Sequence, residues 1–451
     1  MNNDFPNSVT GYLSKNVRSE WELEWNETPG IHTVVVVPAI CEYENIKNLF
    51  LSLSKNSQSA LENSLIIFVI NQKSPTNQEV KSDNRISLDF LRLLILKKPV
   101  DEHQQKILRS GIKIGLIDAS TDAKSFSDRE AGVGLARKIG MDLALQVFDY
   151  SFADRKLIVS LDADCLVQEN YLEEIQKHFK KENCSVAVVD FEHAIPDDRQ
   201  NEIGILSYEI FLRHYVAGLL FAKSPFAFHT IGSTIICDHE AYIKVAGMNT
   251  RKAAEDFYFI QKLAKNFKVN RITKTKVKPS PRESWRVPFG TGRSMTDFLS
   301  KEKKMFVFDP NIYIILKDWL SLFNSDYSLN PDLVIQESKK IHPELYNFLA
   351  NRGFKENWTK IFKNSKSAKQ LEYQRTNWFD ALETLKLVHH LRDSSFPMQD
   401  IETGVENLFK VVQHSVKFDP RSEISNQIQL LRFYLSELKI LENNFYQNSD
   451  L

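Results

Sequence analysis

From His32 onward, short β-branched runs alternate with stretches whose apolar residues recur every three or four positions. HTVVVVP (32–38) is short, β-branched and apolar throughout, which predicts a parallel strand buried on both faces. Residues 43–55 follow with Ile46, Leu49, Phe50 and Leu53 at helical spacing. LIIFVI (65–70) predicts a second buried strand, and the polar stretch 71–88 a loop. IKIGLID (112–118) predicts a third strand. Residues 130–148, with Leu135, Ile139, Leu143 and Val147 on one face, predict a helix. KLIVSL (156–161) and CSVAVVDF (184–191) complete five strands. Strands alternating with helices imply an α/β fold with a mostly parallel sheet flanked by helices. Such sheets bind ligands beyond the carboxyl ends of their strands.

After about Ser294 the pattern changes. Ile312, Ile315, Leu316, Trp319 and Leu320 share one helical face, as do Trp378, Leu382 and Leu385, and Leu431, Leu435 and Leu438. The expected organisation is a polar N-terminal arm (1–30), an α/β domain (31–294) and an all-helical C-terminal domain (295–451). The aromatic stripes of the last segment are core positions.

With 451 residues the chain suits two domains. Its 58 basic and 58 acidic residues cancel, so net charge points to neither nucleic acid nor an anionic membrane. The four cysteines are scattered without a CxxC pair, which excludes a zinc-site pattern and predicts reduced thiols in a cytoplasmic protein. No apolar run reaches the about 18 residues of a membrane span. The nearest, Ile203 to Phe228, is broken by Glu209, Arg213, His214 and Lys223, which predicts a buried helix and leaves peripheral membrane contact open.

Four segments carry chemistry. In IVSLDADCLVQENYL (158–172) a hydrophobic strand runs into Asp162-Ala163-Asp164. Two hard carboxylates at a strand end suit Mg²⁺ or Mn²⁺, with water and phosphate oxygens completing the shell; a solvated acidic turn has the same sequence signature. Glu255 and Asp256 open a helix carrying Phe259, Ile260 and Leu263, either as dipole-complementing caps or with a general base among them. PSPRESWRVPFGTGRSM (279–295) sets Arg282, Arg286 and Arg293 around Gly290 and Gly292, a pattern that suits a diphosphate as well as a solvated loop. REAGVGLARKIGMDLAL (129–145) places two glycines before Arg137 but does not follow the first strand, so it is not a dinucleotide fingerprint. His229 is a further candidate metal ligand, against which stands a histidine satisfied by packing.

In their order, these segments resemble family 2 glycosyltransferases of the GT-A fold, the nucleotide-diphospho-sugar transferases, over about residues 32–290. VVVVPAICEYENIKNLFLSL resembles that family's opening strand, turn and first helix. AGVGLARKIGMDLA resembles its Gly-x-x-x-Ala-Arg-Asn-x-Gly stretch, with Lys138 in place of asparagine. LDADCLVQENYL matches its DxD segment, and GMNTRKAAEDFYF its Gly-Gly-(acidic loop)-Glu-Asp segment, with Ala246 for the first glycine. The resemblance implies that Asp162 and Asp164 ligate Mn²⁺ or Mg²⁺ and the donor diphosphate, and that Asp256, beside Glu255, is the acceptor-activating base. It implies that Pro38, Ala39, Glu42, Asn71 and Arg137 line the donor site, joined by Arg282, Arg286 and Arg293. Asn71-Gln72 stands where the family has an acidic pair that contacts the base, so the usual uracil preference does not carry over. The Gln-x-x-Arg-Trp motif of processive members is absent.

The expected activity is metal-dependent, inverting, non-processive transfer of a hexosyl-type sugar from a nucleotide-diphosphate sugar to a hydroxyl acceptor. That acceptor is a glycan, a lipid-linked group or a small molecule. Two alternatives are a nucleotidyltransferase acting on a sugar phosphate and a non-catalytic nucleotide-sugar-binding module. PAICEYEN lacks the glycine-rich loop that nucleotidyltransferases carry after strand one.

Overall fold

The computed structural model describes residues 5–282, 294–296, 305–325, 330–416, 420–424 and 426–448. The chain divides into two compact units, Met1–Ala194 with Thr230–Ser280, and Ile195–His229 with Pro281–Leu451.

The first unit is α/β. Its helices are α1 (Asn7–Asn16), α2 (Tyr43–Leu53), α3 (Gln58–Glu62), α4 (Gln78–Ile95), α5 (Glu102–Arg109), α6 (Val133–Ala144) and α7 (Tyr171–Lys181), followed, beyond the second unit's α8 (Arg199–Phe221), by α9 (His239–Lys244) and α10 (Glu255–Ala264). Its strands are β1 (Leu23–Trp25), β2 (Thr33–Ala39), β3 (Ser64–Asn71), β4 (Lys73–Ser74), β5 (Lys113–Ala119), β6 (Phe126–Ser127), β7 (Leu157–Ser160), β8 (Leu166–Val167), β9 (Val186–Phe191), β10 (Ile235–Asp238) and β11 (Val269–Lys278). Among the described residues nine strands form the sheet, in the order β1-β5-β3-β2-β7-β10-β9-β11-β8. β5, β3, β2, β7, β9 and β11 share one direction, and β1, β10 and β8 oppose it. β4 and β6 form a separate parallel pair.

Helices cover both faces of this sheet, which is why every residue of β2 and β3 is buried. Val35, Val37 and Phe68 pack in one core with Ile46, Leu49 and Phe50 of α2, Leu88 and Leu91 of α4, and Leu172 and Ile175 of α7. Val36 and Val69 point the other way, toward α6. A Cβ at Gly140 would lie 2.4 Å from Val36 Cγ1, so only glycine lets α6 approach this closely.

The structure departs from the sequence expectations in three places. Residues 71–88 are not a loop: α4 begins at Gln78, where the Asn77 side chain accepts the Val80 N–H. Its buried stripe includes Asn84 and Ser87, and these polar residues hide the helical period. The arm 1–30 is not separate from the sheet. β1 pairs with β5, and the Tyr12 hydroxyl on α1 donates to Asp142 over 2.8 Å. Residues 195–229, expected inside the α/β domain, fall in the second unit.

Among its described residues that unit is helical apart from a two-stranded ribbon of β12 (Phe306–Val307) and β13 (Gln399–Asp400). Leu206, Ile210 and Leu220 of α8 share its core with Trp319, Phe348, Leu408, Leu431 and Leu438. Trp319, Phe323, Phe354, Trp358 and Phe379 interlock there as buried rings. Among the described residues one helix, α8, is long and apolar enough to cross a membrane by length and composition alone, and 83% of its apolar window is buried inside the protein.

Candidate active site

The parallel register continues one residue past β7, where the Leu161 N–H donates to the Val36 carbonyl over 3.1 Å. The chain then turns, with the Cys165 N–H donating to the Asp162 carbonyl over 3.1 Å. Ala163 and Cys165 stay in the core while Asp162 and Asp164 are partly exposed. A tight turn at a strand end thus turns carboxylates two residues apart out of the core. Burial drives the Cys165 thiol well above its ordinary pKa, and the neighbouring Asp164 and Asp162 charges add to this.

Arg137 connects this turn to a distant segment. Its Nη2 donates to Asp162 Oδ1 and its Nη1 to Glu255 Oε1. The Arg137 side chain is 4% exposed, Glu255 5% and Asp162 35%, so only Asp162 of the three opens to a ligand. Two glycines make the arrangement fit. At Gly232 a Cβ would lie 2.5 Å from Arg137 Nη1, and at Gly134 one would lie 2.4 Å from the Arg251 carbonyl oxygen. The first gives the guanidinium its place; the second brings α6 against the chain leading into α10. Burial disfavours the Arg137 charge, but Asp162 and Glu255 outweigh it and hold the group protonated. Its Nε is buried without a hydrogen-bond partner, a cost of about 1–3 kcal/mol that the two ion pairs offset.

α10 starts directly at Glu255. Ala254 before it has φ +56°, a left-handed conformation that costs a residue with a Cβ roughly 1–2 kcal/mol. The Asn249 side chain steadies the turn by donating to the Glu255 carbonyl over 2.8 Å. Burial pushes the Glu255 carboxyl up to about 7; Arg137 pulls it down, while Asp256 and Asp162 add to the rise. Asp256 is also raised, by burial first, with Arg137 opposing and Asp162 reinforcing. Unlike Glu255 it is partly exposed, and its Oδ1 accepts the Phe257 N–H over 2.7 Å. A carboxyl with a raised pKa and an open face is suited to proton transfer.

The remaining candidates are distributed unevenly. Pro38 and Ala39 end β2, in register with Val69 and Ile70 of β3, and β7 flanks β2 on its other side. Asn71 ends β3. Its amide donates to the Ala39 carbonyl over 3.0 Å and to the Val69 carbonyl over 3.1 Å, which ties the two strand ends together and leaves Oδ1 as its accepting atom. Glu42 is buried at the start of α2 and accepts from the Asn45 side chain. Sequence patterning missed two residues that shape this turn. Asn84 Oδ1 accepts the Cys41 N–H over 2.9 Å, and Asp83 Oδ1 accepts the Tyr43 N–H over 3.2 Å. Their signal was a polar stripe at helical spacing, read as loop.

His229, the further candidate metal ligand, belongs to a different unit from Asp162 and Asp164. It lies in the second unit, where its Nε2 meets Glu442 Oε1 at 3.0 Å. Arg282 also falls in the second unit, and Arg286 and Arg293 lie outside the described residues. Among the described residues no group of three or more His, Cys, Asp or Glu side chains is placed to hold a metal ion. Asp162 and Asp164 alone suit Mg²⁺ or Mn²⁺, which take one or two carboxylates and fill the other positions with water and phosphate oxygens.

No family model matches the chain, and no curated protein matches it. Among solved structures it is similar to S. aureus TarS 1-349, at 13% identity and TM-score 0.34 over 93% of this chain and 92% of that one. The complex of the same protein with UDP-GlcNAc gives 14% identity and TM-score 0.36, over 93% of each chain. The mannosyltransferase PcManGT from Pyrobaculum calidifontis, in complex with GDP-Man and Mn²⁺, gives 12% identity and TM-score 0.34, over 98% of this chain and 95% of that one. At TM-scores below 0.5, these likenesses add no weight to the side-chain geometry.

Proposed function

We propose that this chain is a cytoplasmic glycosyltransferase of the family 2, GT-A type, which moves a hexosyl-type sugar from a nucleotide-diphosphate donor to a hydroxyl acceptor by a single inverting, non-processive displacement. The observation that carries this reading is the meeting of three segments far apart in sequence. Asp162 after β7, Arg137 on α6 and Glu255 at the start of α10 form one charge cluster with Asp256 beside it. Cys41, Cys165, Cys184 and Cys237 are outside any disulfide, which suits a reducing compartment.

The donor nucleotide would lie over the ends of β2 and β3, against Pro38, Ala39, Glu42 and Asn71. Asp162 and Asp164 would hold Mn²⁺ or Mg²⁺ beside the diphosphate, where such a cation offsets charge on the leaving group. The acceptor hydroxyl oxygen attacks the anomeric carbon as the bond from that carbon to the diphosphate oxygen breaks. The bonding pair leaves with the nucleoside diphosphate, and Asp256 takes the hydroxyl proton. Glu255, buried against Arg137, fixes the start of α10 and thereby the position of Asp256.

The test begins with a thermal-shift screen of nucleotide sugars with Mn²⁺. A donor at 100 times its Kd stabilises by about 2.7 kcal/mol. With that donor, Asp256→Asn is expected to lower transfer about 10²–10⁴-fold while the donor-induced shift persists. Full transfer by Asp256→Asn would remove the base. Pyrophosphate release from a nucleoside triphosphate and a sugar phosphate would favour nucleotidyl transfer instead.

A further inference from the structure

We propose that Arg137 is a positioning residue that serves as the resident counter-charge of Asp162: it holds one Asp162 oxygen in the metal-free protein and yields it when a divalent cation binds. This rests on the reading of Asp162 and Asp164 as cation ligands. The resemblance assigns Arg137 to direct donor contact, and the geometry points elsewhere. Both terminal nitrogens are spent, one on Asp162 and one on Glu255, and the side chain is 4% exposed. A diphosphate has no open face of this guanidinium to meet. Gly232 lies close against the guanidinium, where a Cβ would stand 2.5 Å from Nη1, and the two carboxylates hold its other side.

The consequence is a competition. Asp162 offers its carboxylate to the guanidinium from inside and, being 35% exposed, to a ligand from outside. A divalent cation on Asp162 and Asp164 would stand close to a positive charge that cannot leave, so the cation alone is held weakly. A diphosphate arriving with it supplies the negative charge that offsets Arg137. Cation and donor would then bind together rather than in sequence, and Arg137 couples the two through the carboxylate it shares.

The experiment measures Mn²⁺ binding without nucleotide, by the electron paramagnetic resonance signal of free Mn²⁺, in the wild type, Arg137→Gln, Arg137→Lys and Asp162→Asn. Near-ultraviolet circular dichroism confirms folding. Arg137→Gln is expected to bind Mn²⁺ about thirty-fold tighter than wild type or more, the scale of removing one like charge about 4 Å from a divalent cation at water-like screening. Arg137→Lys, which keeps a charge but loses the two-pronged fork, is expected to fall between them, and covers the case in which the glutamine variant does not fold. Asp162→Asn is expected to abolish binding. In transfer assays the Arg137 variants are expected to need less Mn²⁺ while kcat falls, a split that simple loss of structure does not produce. Folded Arg137 variants that bind Mn²⁺ no tighter than a wild type that does bind it would overturn this inference alone. Mn²⁺ binding that survives Asp162→Asn unchanged would overturn the cation site and this inference with it.

Discussion

Two arginines in this molecule are buried between two carboxylates each, and they do different work. Arg137 in the α/β unit meets Asp162 and Glu255. Arg213 in the helical unit meets Glu209 at 3.0 Å and Glu442 at 2.9 Å, with Glu442 also facing His229 at 3.0 Å. The second cluster is closed: the side chains of Arg213, Glu209 and Glu442 are 0%, 3% and 0% exposed. It joins α8 to the C-terminal helix Gln427–Asn448, an attachment extended by the Lys439–Glu209 pair at 3.3 Å. The first cluster has one open side, at Asp162 and Asp256. The charges are alike, and it is access that separates a structural clamp from a site where a ligand can compete.

Three experiments would break or sharpen this contrast. The largest effect is expected from Glu442→Ala. Removing one partner from a buried ion pair costs about 3–5 kcal/mol, to be read from denaturant unfolding of the whole chain, and Mn²⁺ binding in the folded fraction should be unchanged. A fall below 1 kcal/mol would mean that the closed cluster is not a clamp. Next comes Gly232→Ala, which sets a methyl group 2.5 Å from Arg137 Nη1. Overpacking of this kind costs about 1–3 kcal/mol, and here transfer should suffer more than stability does, because the displaced guanidinium carries Asp162 and Glu255 with it. Equal losses in the two assays would reduce Gly232 to a packing residue.

The smallest effect concerns pH. Glu255 holds its proton up to about 7 in the folded chain against an ordinary 4.5. The folded state therefore binds more protons than the unfolded one between these values, and stability should decline as pH rises from about 4.5 to 7 and then level off. Glu255→Gln should flatten that decline. A curve of the same slope in the variant would place the titration elsewhere.

Much of the α/β unit was legible in sequence because its signals are local. TVVVVPA and SLIIFVIN are apolar at every position that two covered faces require, and the DxD turn follows its strand directly. Other features were hidden for physical reasons. α4 buries Asn84 and Ser87 on its inner stripe, so the hydrophobic period that marks a helix is interrupted. β10 and β11 went unread; β11 spreads its buried positions irregularly, with a register shift between Ile272 and Lys276.

The sequence by itself determined the buried strands β2, β3, β5, β7 and β9 and the helices of strong apolar period, and that carboxylates would stand at a strand end and at a helix start. Side-chain polarity and periodicity act within a few residues of themselves, so a linear reading captures them. Only the tertiary structure decided which of these groups meet. α8 is buried over most of its surface, and nothing in such a helix states which neighbours will cover it; its core turned out to be that of the C-terminal helices. Arg137 finds Asp162 and Glu255 because Gly134 and Gly232 lack side chains where the backbone must pass closely, a steric fact that exists only once those distant segments are packed together.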